Sequence, residues 1–256
     1  MLTPPEYLSP SSINTYRECP QKFKFSRIDR ISEPPTWFTH LGTFVHEVLE
    51  HLYQLDAAER TIETIKVLAR QRWEASGWEA QVQQLEKPQG TIVDFKKQAF
   101  VCMENLWKVE DPTVTEPMGM EHEVVADVDG VTLKGFIDRF HVDESNGLFV
   151  IGDYKTGKVK DRRYNTEDEI FFQLMAYALM LQEVEQEETS RVELLYLKTG
   201  VRDAIPVTPV KLAIARGTIV ETKEGVDDAC AKGEFACNVT KLCDWCYFKP
   251  QCPAHQ

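Results

Sequence analysis

The chain has 256 residues, 27% of them charged and 43% hydrophobic, and its formal net charge is −12. That length holds one large domain with additions, and the composition is that of a soluble globular protein rather than a disordered or fibrous one. No apolar run approaches the roughly 20 residues of a membrane-spanning helix. Met1–Pro5 has neither the charged start nor the apolar core of a signal peptide, so the cytoplasm is the expected location and no membrane partner is expected.

The acidic total disfavours a nucleic-acid partner, because phosphate binding needs lysine and arginine. Distribution counts for more than the total. From Arg17 to Arg30 there are five basic against two acidic residues, and from Lys155 to Arg163 five against one. Glu183, Glu185, Glu187 and Glu188 hold part of the acidic excess elsewhere.

The elements follow in chain order. Ser9 and Pro10 open a short helix that Pro20 stops. Phe44, Val48, Leu52 and Leu55 line one side of an amphipathic helix over about 41–55, and helical patterns also cover about 58–76 and 91–108. Strand patterns follow at about 121–129, 131–141 and 148–155, with Asp129-Gly130 and Asn146-Gly147 as turns. A long helix spans about 168–184, strands lie near 192–198 and 203–208, and a last helix covers about 209–232. No internal repeat or low-complexity tract interrupts the series.

Two strand ends carry the chemistry. In Leu148–Gly157, Phe149, Val150 and Ile151 read as a buried strand, and residues two apart share a face. Asp153 and Lys155 therefore emerge side by side, at what the pattern predicts to be a solvent-accessible strand end. Asp138 sits at the end of the preceding strand, after Gly135. Two carboxylates and a lysine suit a divalent cation and a phosphate: hard oxygen ligands hold the ion, and the ammonium handles a water or the developing charge. An isolated Asp-x-Lys is more often an ion pair, so the rest of the chain has to carry this reading. His46 adds a nitrogen that a carboxylate-bound metal accepts, though a lone histidine is usually a packed side chain. Gln173 and Tyr177, one helical turn apart, share a face of the helix after the carboxylate strands, where either a polar core edge or a substrate contact fits.

Seven cysteines without an export signal argue against a disulfide framework. Cys243-x2-Cys246-x5-Cys252 aims thiolates at one centre, and Cys19 near the other end is a candidate fourth ligand. Spacing alone leaves zinc and an iron–sulfur cluster both open. Cys102 is isolated, and Cys230 and Cys237 stand outside the pattern.

The set Gly42-x3-His46, Gly135-x2-Asp138, Asp153-x-Lys155 and Gln173-x3-Tyr177 resembles the RecB-type nuclease domain of the PD-(D/E)XK superfamily. With Cys19 and the C-terminal cysteines it is similar to the iron–sulfur branch, which includes the AddB nuclease domain and CRISPR-associated exonucleases. The likeness runs from Ser9 to Pro253. It implies a mixed α/β (α+β) fold: a helical part over about 1–115, a restriction-endonuclease-like αβββαβ core over about 116–208, and a C-terminal helix and cysteine loop over about 209–256, all in one composite domain.

The resemblance further implies Mg2+ or Mn2+ on His46, Asp138, Asp153 and the Tyr154 carbonyl, with Lys155 catalytic. It implies a 4Fe–4S cluster on Cys19, Cys243, Cys246 and Cys252, with zinc the lesser alternative. Gln173, Tyr177, Arg17, Lys22 and Lys158 become the expected DNA contacts. Asp153 replaces the glutamate of many members, no proline precedes Asp138, and either Glu121 or Glu123 fits the family's extra strand glutamate. The expected activity is exonucleolytic hydrolysis of single-stranded or end-frayed DNA, in DNA repair or recombination. A non-catalytic nucleic-acid- or partner-binding module is the alternative. No Gly-x4-Gly-Lys-Ser/Thr phosphate loop is present, so any unwinding comes from a helicase or recombination partner.

Overall fold

Strands β1 (Gly119–Val128), β2 (Val131–Asp143), β3 (Leu148–Lys155), β4 (Thr189–Tyr196) and β5 (Val201–Pro206) form one sheet in chain order in the computed structural model, which describes residues 1–256. β1, β2 and β3 are antiparallel neighbours, β3 and β4 run parallel, and β5 returns antiparallel to β4. A parallel pair needs a crossover too long for a tight turn. The helix α8 (Glu167–Glu185) supplies it. Asp129 and Gly130, at φ +52° and +80°, make the β1–β2 turn, since that hairpin type needs two left-handed residues.

Eight further helices fill in the rest, several of them started by hydroxyl caps. α1 (Pro10–Glu18) follows the Ser9 cap as expected, but Pro20 opens α2 (Pro20–Phe23) instead of ending the helical chain. α3 runs Trp37–Tyr53, four residues earlier than the apolar pattern suggested. Thr36 and Thr39 cap its start reciprocally, each hydroxyl accepting from the other's backbone N–H at 3.2 and 2.8 Å. α4 (Ile62–Ala75) and α5 (Trp78–Gln83) succeed it; α5 lies beyond the helix expected over about 58–76 and is not among the expected elements. The 91–108 pattern divides at Asn105 into α6 (Ile92–Glu104) and α7 (Leu106–Val109), and α9 (Pro209–Lys232) ends on Gly233 in the left-handed region.

The sheet separates two cores. Ile151, Val192, Leu194 and Tyr196 pack with α8 and with Ile219 and Val226 of α9. Tyr154, Leu195 and Leu197, on the other face, pack with Phe44, Trp73 and Phe95 of the N-terminal helices. This alternation is the period-two rule acting on strands covered on both sides.

One place breaks the rule. The β1–β2 ladder pairs Met120 with Arg139 and His122 with Ile137, leaving Glu121 and Asp138 opposite each other but unpaired. Glu121 has φ +46°, which a residue with a Cβ adopts only under constraint. Both strands turn over there. Val124, Ala126 and Val128 belong to the first core while Met120 packs on the second; Ile137 belongs to the first while Arg139 reaches Glu110 on the helical side.

Arg139 is the anchor of that second face. Its guanidinium lies 2.6 Å from Glu110 and 3.4 Å from Glu193, with side chains 1%, 5% and 2% exposed. Glu110 Oε1 also accepts from the hydroxyls of Tyr53 at 2.5 Å and Tyr154 at 2.8 Å. Gly152 leaves the room: a Cβ there would stand 2.6 Å from Arg139 Nη2. Removing one partner of a buried ion network leaves an uncompensated charge, so Arg139→Met should cost about 3–5 kcal/mol in urea unfolding. A loss below about 1 kcal/mol would reduce this network to the rank of a surface pair.

Candidate active site

The strand reversal brings the acidic residues of three strands into one row. Pairs flanking Asp138 and Asp153 place them opposite each other across β2 and β3, as Glu121 and Asp138 are across β1 and β2. On β3, Asp153 continues the face of Phe149 and Ile151 that α8 covers. The expected solvent-accessible strand end is therefore corrected: Asp153 is 2% exposed, because α8 and the parallel strand β4 close over it.

Each acid has distinct company. Asp138 Oδ2 accepts the Tyr154 backbone N–H at 2.8 Å. Asp153 Oδ2 lies 2.5 Å from Lys155 Nζ and accepts no hydrogen bond of good geometry, while Oδ1 accepts from Gln173 Nε2 at 3.4 Å. Gln173 Nε2 also lies 3.4 Å from Tyr177 OH. Tyr177 packs flat on β2 at Gly135, where a Cβ would come within 2.7 Å of its ring. The glycine of the Gly135-x2-Asp138 pattern is thus a requirement of close approach.

His46 arrives from α3. Its Nε2 is 2.9 Å from the Tyr154 carbonyl oxygen, and its Nδ1 is 3.0 Å from Glu121 Oε1 and 3.6 Å from Asp138 Oδ2. Both ring nitrogens face acceptors, which suits the doubly protonated imidazolium. Burial alone would lower its pKa; the Asp138 charge and the Glu121 hydrogen bond overcome that and raise it to about 9. Asp138 is itself pushed up to about 7, by burial first and by the Asp153 charge second. Burial alone would lower the Lys155 pKa; the charge and hydrogen bond of Asp153 and the charge of Asp138 together overcome that and hold it above its usual value.

This donor set fits a small divalent cation. His46, Glu121 and Asp138 each offer a ligand atom within 4.8 Å of the others, and the Tyr154 carbonyl is adjacent. Neighbouring ligands about 2.1 Å from an octahedral ion stand about 3 Å apart, close to the separations here. A crowded row of carboxylates, in which burial and the Asp153 charge raise the proton affinity of Asp138, is what a cation would relieve. Glu121 is the glutamate in place; Glu123 is spent on Lys134 at 3.0 Å. Nothing in the sequence separated the two, since the reversal at Glu121 decides which points inward.

The expected DNA contacts divide. Gln173 and Tyr177 flank Asp153. Arg17 lies on the same side of the sheet, its guanidinium 5.6 Å from the Phe172 ring centre. Lys22 is elsewhere, paired to Glu18 at 3.7 Å and lining the cysteine cavity. Lys158 is exposed on the loop 156–165 directly after Lys155. That loop also exposes Lys160 and Tyr164, the latter 80% open, which the charge count around Lys155 hinted at but did not single out.

The two ends of the chain meet at the cysteines. Cys19, Cys243, Cys246 and Cys252 line one small cavity with Phe25 and Phe248, whose rings are 5.2 Å apart. Gln21 N–H donates to the Ala236 carbonyl and Asn238 Nδ2 to the Glu18 carbonyl, at 3.0 and 2.8 Å. Cys237, which the spacing left out, lines the same cavity with its sulfur 3.8 Å from that of Cys252. Cys102 and Cys230 are buried in the two cores.

The ionic site has a pH signature in chelator-treated protein. The folded-state pKa of His46 lies above the unfolded value near 6.5. Its proton therefore stabilises the fold fully below about pH 6.5, a contribution lost as the pH rises through about 9. The raised Asp138 acts with the same sign at lower pH. Proton NMR of the His46 ring should give a midpoint well above 6.5, which Glu121→Gln lowers. A wild-type midpoint at or below 6.5 would remove the ion-pair account of this histidine.

The model of the PD-(D/E)XK nuclease superfamily matches residues 7–253. The chain is 26% identical, over 295 aligned positions, to the Gene 69 protein of Mycobacterium phage L5, covering 96% of this chain and 95% of that protein. Its fold resembles the crystal structure named "Putative exonuclease" from Eubacterium rectale, with a TM-score of 0.57 at 15% identity, covering 94% of this chain and 87% of that one. A match of nearly full length, over a mixed sheet that gathers the acids of three strands beside a lysine, means that the chain belongs to the PD-(D/E)XK nuclease superfamily.

Proposed function

We propose that this nuclease is a Mg2+- or Mn2+-dependent deoxyribonuclease acting from the ends of single-stranded or frayed DNA, with a structural 4Fe–4S cluster. The observation that carries the reading is the row of Glu121, Asp138 and Asp153 meeting His46 and Lys155 at one place on the sheet. His46, Asp138, Asp153 and the Tyr154 carbonyl are the assigned holders of the cation, and Glu121, whose carboxylate lies within 4.8 Å of the His46 and Asp138 ligand atoms, joins them. When bound, such an ion polarises a phosphate and lowers the pKa of a water.

The chain's own groups do the rest. Tyr154 is fixed three times: its hydroxyl on Glu110, its N–H on Asp138 and its carbonyl on His46. Lys155 stays protonated and places its charge where a pentavalent phosphorane would gather negative charge. Gln173 keeps the Asp153 carboxylate oriented. The Tyr164 ring is 80% exposed, with the Arg163 guanidinium 5.6 Å from its centre. Its loop also exposes Lys158 and Lys160, which suits an unpaired base stacked beside tracked phosphates and favours single-stranded ends. The name of the Eubacterium rectale protein points the same way for exonuclease action. No helix is long and apolar enough to cross a membrane.

The cysteine cavity supports the cluster by joining Cys19 to Cys243, Cys246 and Cys252 across the length of the chain, with aromatic rings to shield sulfur from water. Ligation there would close a loop containing most of the protein.

Two measurements test these assignments. Asp153→Asn keeps the buried shape and removes the charge, so it should cut digestion of end-labelled single-stranded DNA at least about 1000-fold, about 4 kcal/mol of transition-state stabilisation. Lys155→Ala should fall similarly while still binding Mn2+; full activity in both would refute the site. Anaerobically purified protein should contain about four irons, as that cluster requires. Cys19→Ser should lose them and Cys102→Ser should keep them. Stoichiometric zinc without iron would overturn the cluster, and iron lost from Cys237→Ser but kept in Cys19→Ser would reassign the fourth ligand.

A further inference from the structure

The helix α3 carries His46 toward the strands, and two residues earlier Phe44 points to the opposite side, into the N-terminal helices. There it floors a groove of about 400 Å3 between α4 and α6, far removed in chemistry from the acidic row. The walls are Ala69, Trp73, Ala99, Phe100 and Met103, so the interior is apolar. Alanines on both helices are what leave it open. A space of this size admits one or two bulky side chains.

Its rim is basic in a protein whose formal net charge is −12. Lys66, Arg70 and Lys96 surround the opening against a single carboxylate, Glu74. Lys66 pairs only with Glu63, which is 83% exposed, so that pair costs little to exchange. Lys96 sits over the Trp73 ring at 4.3 Å, and no salt bridge engages it or Arg70.

We infer that this groove binds an acidic peptide segment bearing bulky apolar side chains, a partner of opposite charge seated on the other side of α3 from His46. Charge complementarity selects acidity, and the apolar floor selects the side chains. A nucleic-acid strand meets the same cations but gains little inside. Trp73 has one face capped by Lys96 and packs against Phe44 and Phe95 at 5.4 and 5.7 Å, leaving no free face for a base to stack on.

The test uses the whole protein and a fluorescein-labelled peptide of four aspartates followed by Leu-Leu-Phe, read by fluorescence polarisation. Saturable binding is expected, at least tenfold weaker when asparagine replaces the aspartates. The double substitution Lys66→Glu with Lys96→Glu, and separately the plugging substitution Ala69→Phe, should each weaken it at least tenfold. Should the charge reversal fail to fold, as judged by circular dichroism, Lys66→Gln with Lys96→Gln serves in its place. Absence of saturable binding, equal binding of the asparagine peptide, or binding unaltered by Ala69→Phe would each overturn the proposal. So would a single-stranded oligothymidylate that competes with the peptide in wild type and loses its own binding in Ala69→Phe, since the groove would then be a nucleic-acid site.

Discussion

The reversal of β1 and β2 at Glu121 and Asp138 is the constraint on which the rest of the molecule depends. A regular strand would send Ile137 and Arg139 to one face and Asp138 to the other. Here the ladder skips one pair, Glu121 takes a left-handed backbone, and Ile137 and Arg139 end on opposite faces. Asp138 is thereby free to stand in line with Asp153 while Arg139 is buried on the helical side. Strain of this kind costs about 1–3 kcal/mol and persists only where surroundings impose it. The buried network of Arg139, Glu110, Glu193, Tyr53 and Tyr154 is such a surrounding.

The same network reaches the chemistry through Tyr154. Its ring is held in the second core by Glu110, and its backbone N–H and carbonyl face Asp138 and His46. Packing on one face of the sheet therefore sets the position of polar atoms at the other. Gly152 and Gly135 serve this arrangement by absence of a side chain, one admitting Arg139 and the other Tyr177. Like charges gathered in a row repel, and the structure offsets this with the His46 proton and the Lys155 ammonium. The raised proton affinities of His46 and Asp138 both follow from that crowding, and a divalent cation answers the same need.

The two ends of the chain and its helical half carry separate tasks on this frame. The N-terminal helices bury one face of the sheet, deliver His46 and leave the Phe44 groove on their outer side. The junction of α1 and α2 at Cys19 joins the C-terminal cysteines, with five thiols around one cavity. Cys237 lies too close to Cys252 to be indifferent to whatever that cavity holds.

By itself the sequence determined the order and type of the main elements, because periods of 2 and 3.6 and the hydroxyl caps are local properties. It also placed Asp153 beside Lys155, Gln173 beside Tyr177, and the three C-terminal cysteines together, since each spacing fixes a shared face or turn. Helix starts were harder: α3 begins at the Thr36 cap, ahead of its apolar stripe, and α5 has too few residues to show a period. Only the tertiary structure chose Glu121 over Glu123, buried Asp153 under α8, drew Cys237 to Cys252 and sent Lys22 away from the carboxylates. Those outcomes depend on a backbone reversal and on side chains meeting across elements far apart in the chain, and no local periodicity encodes either.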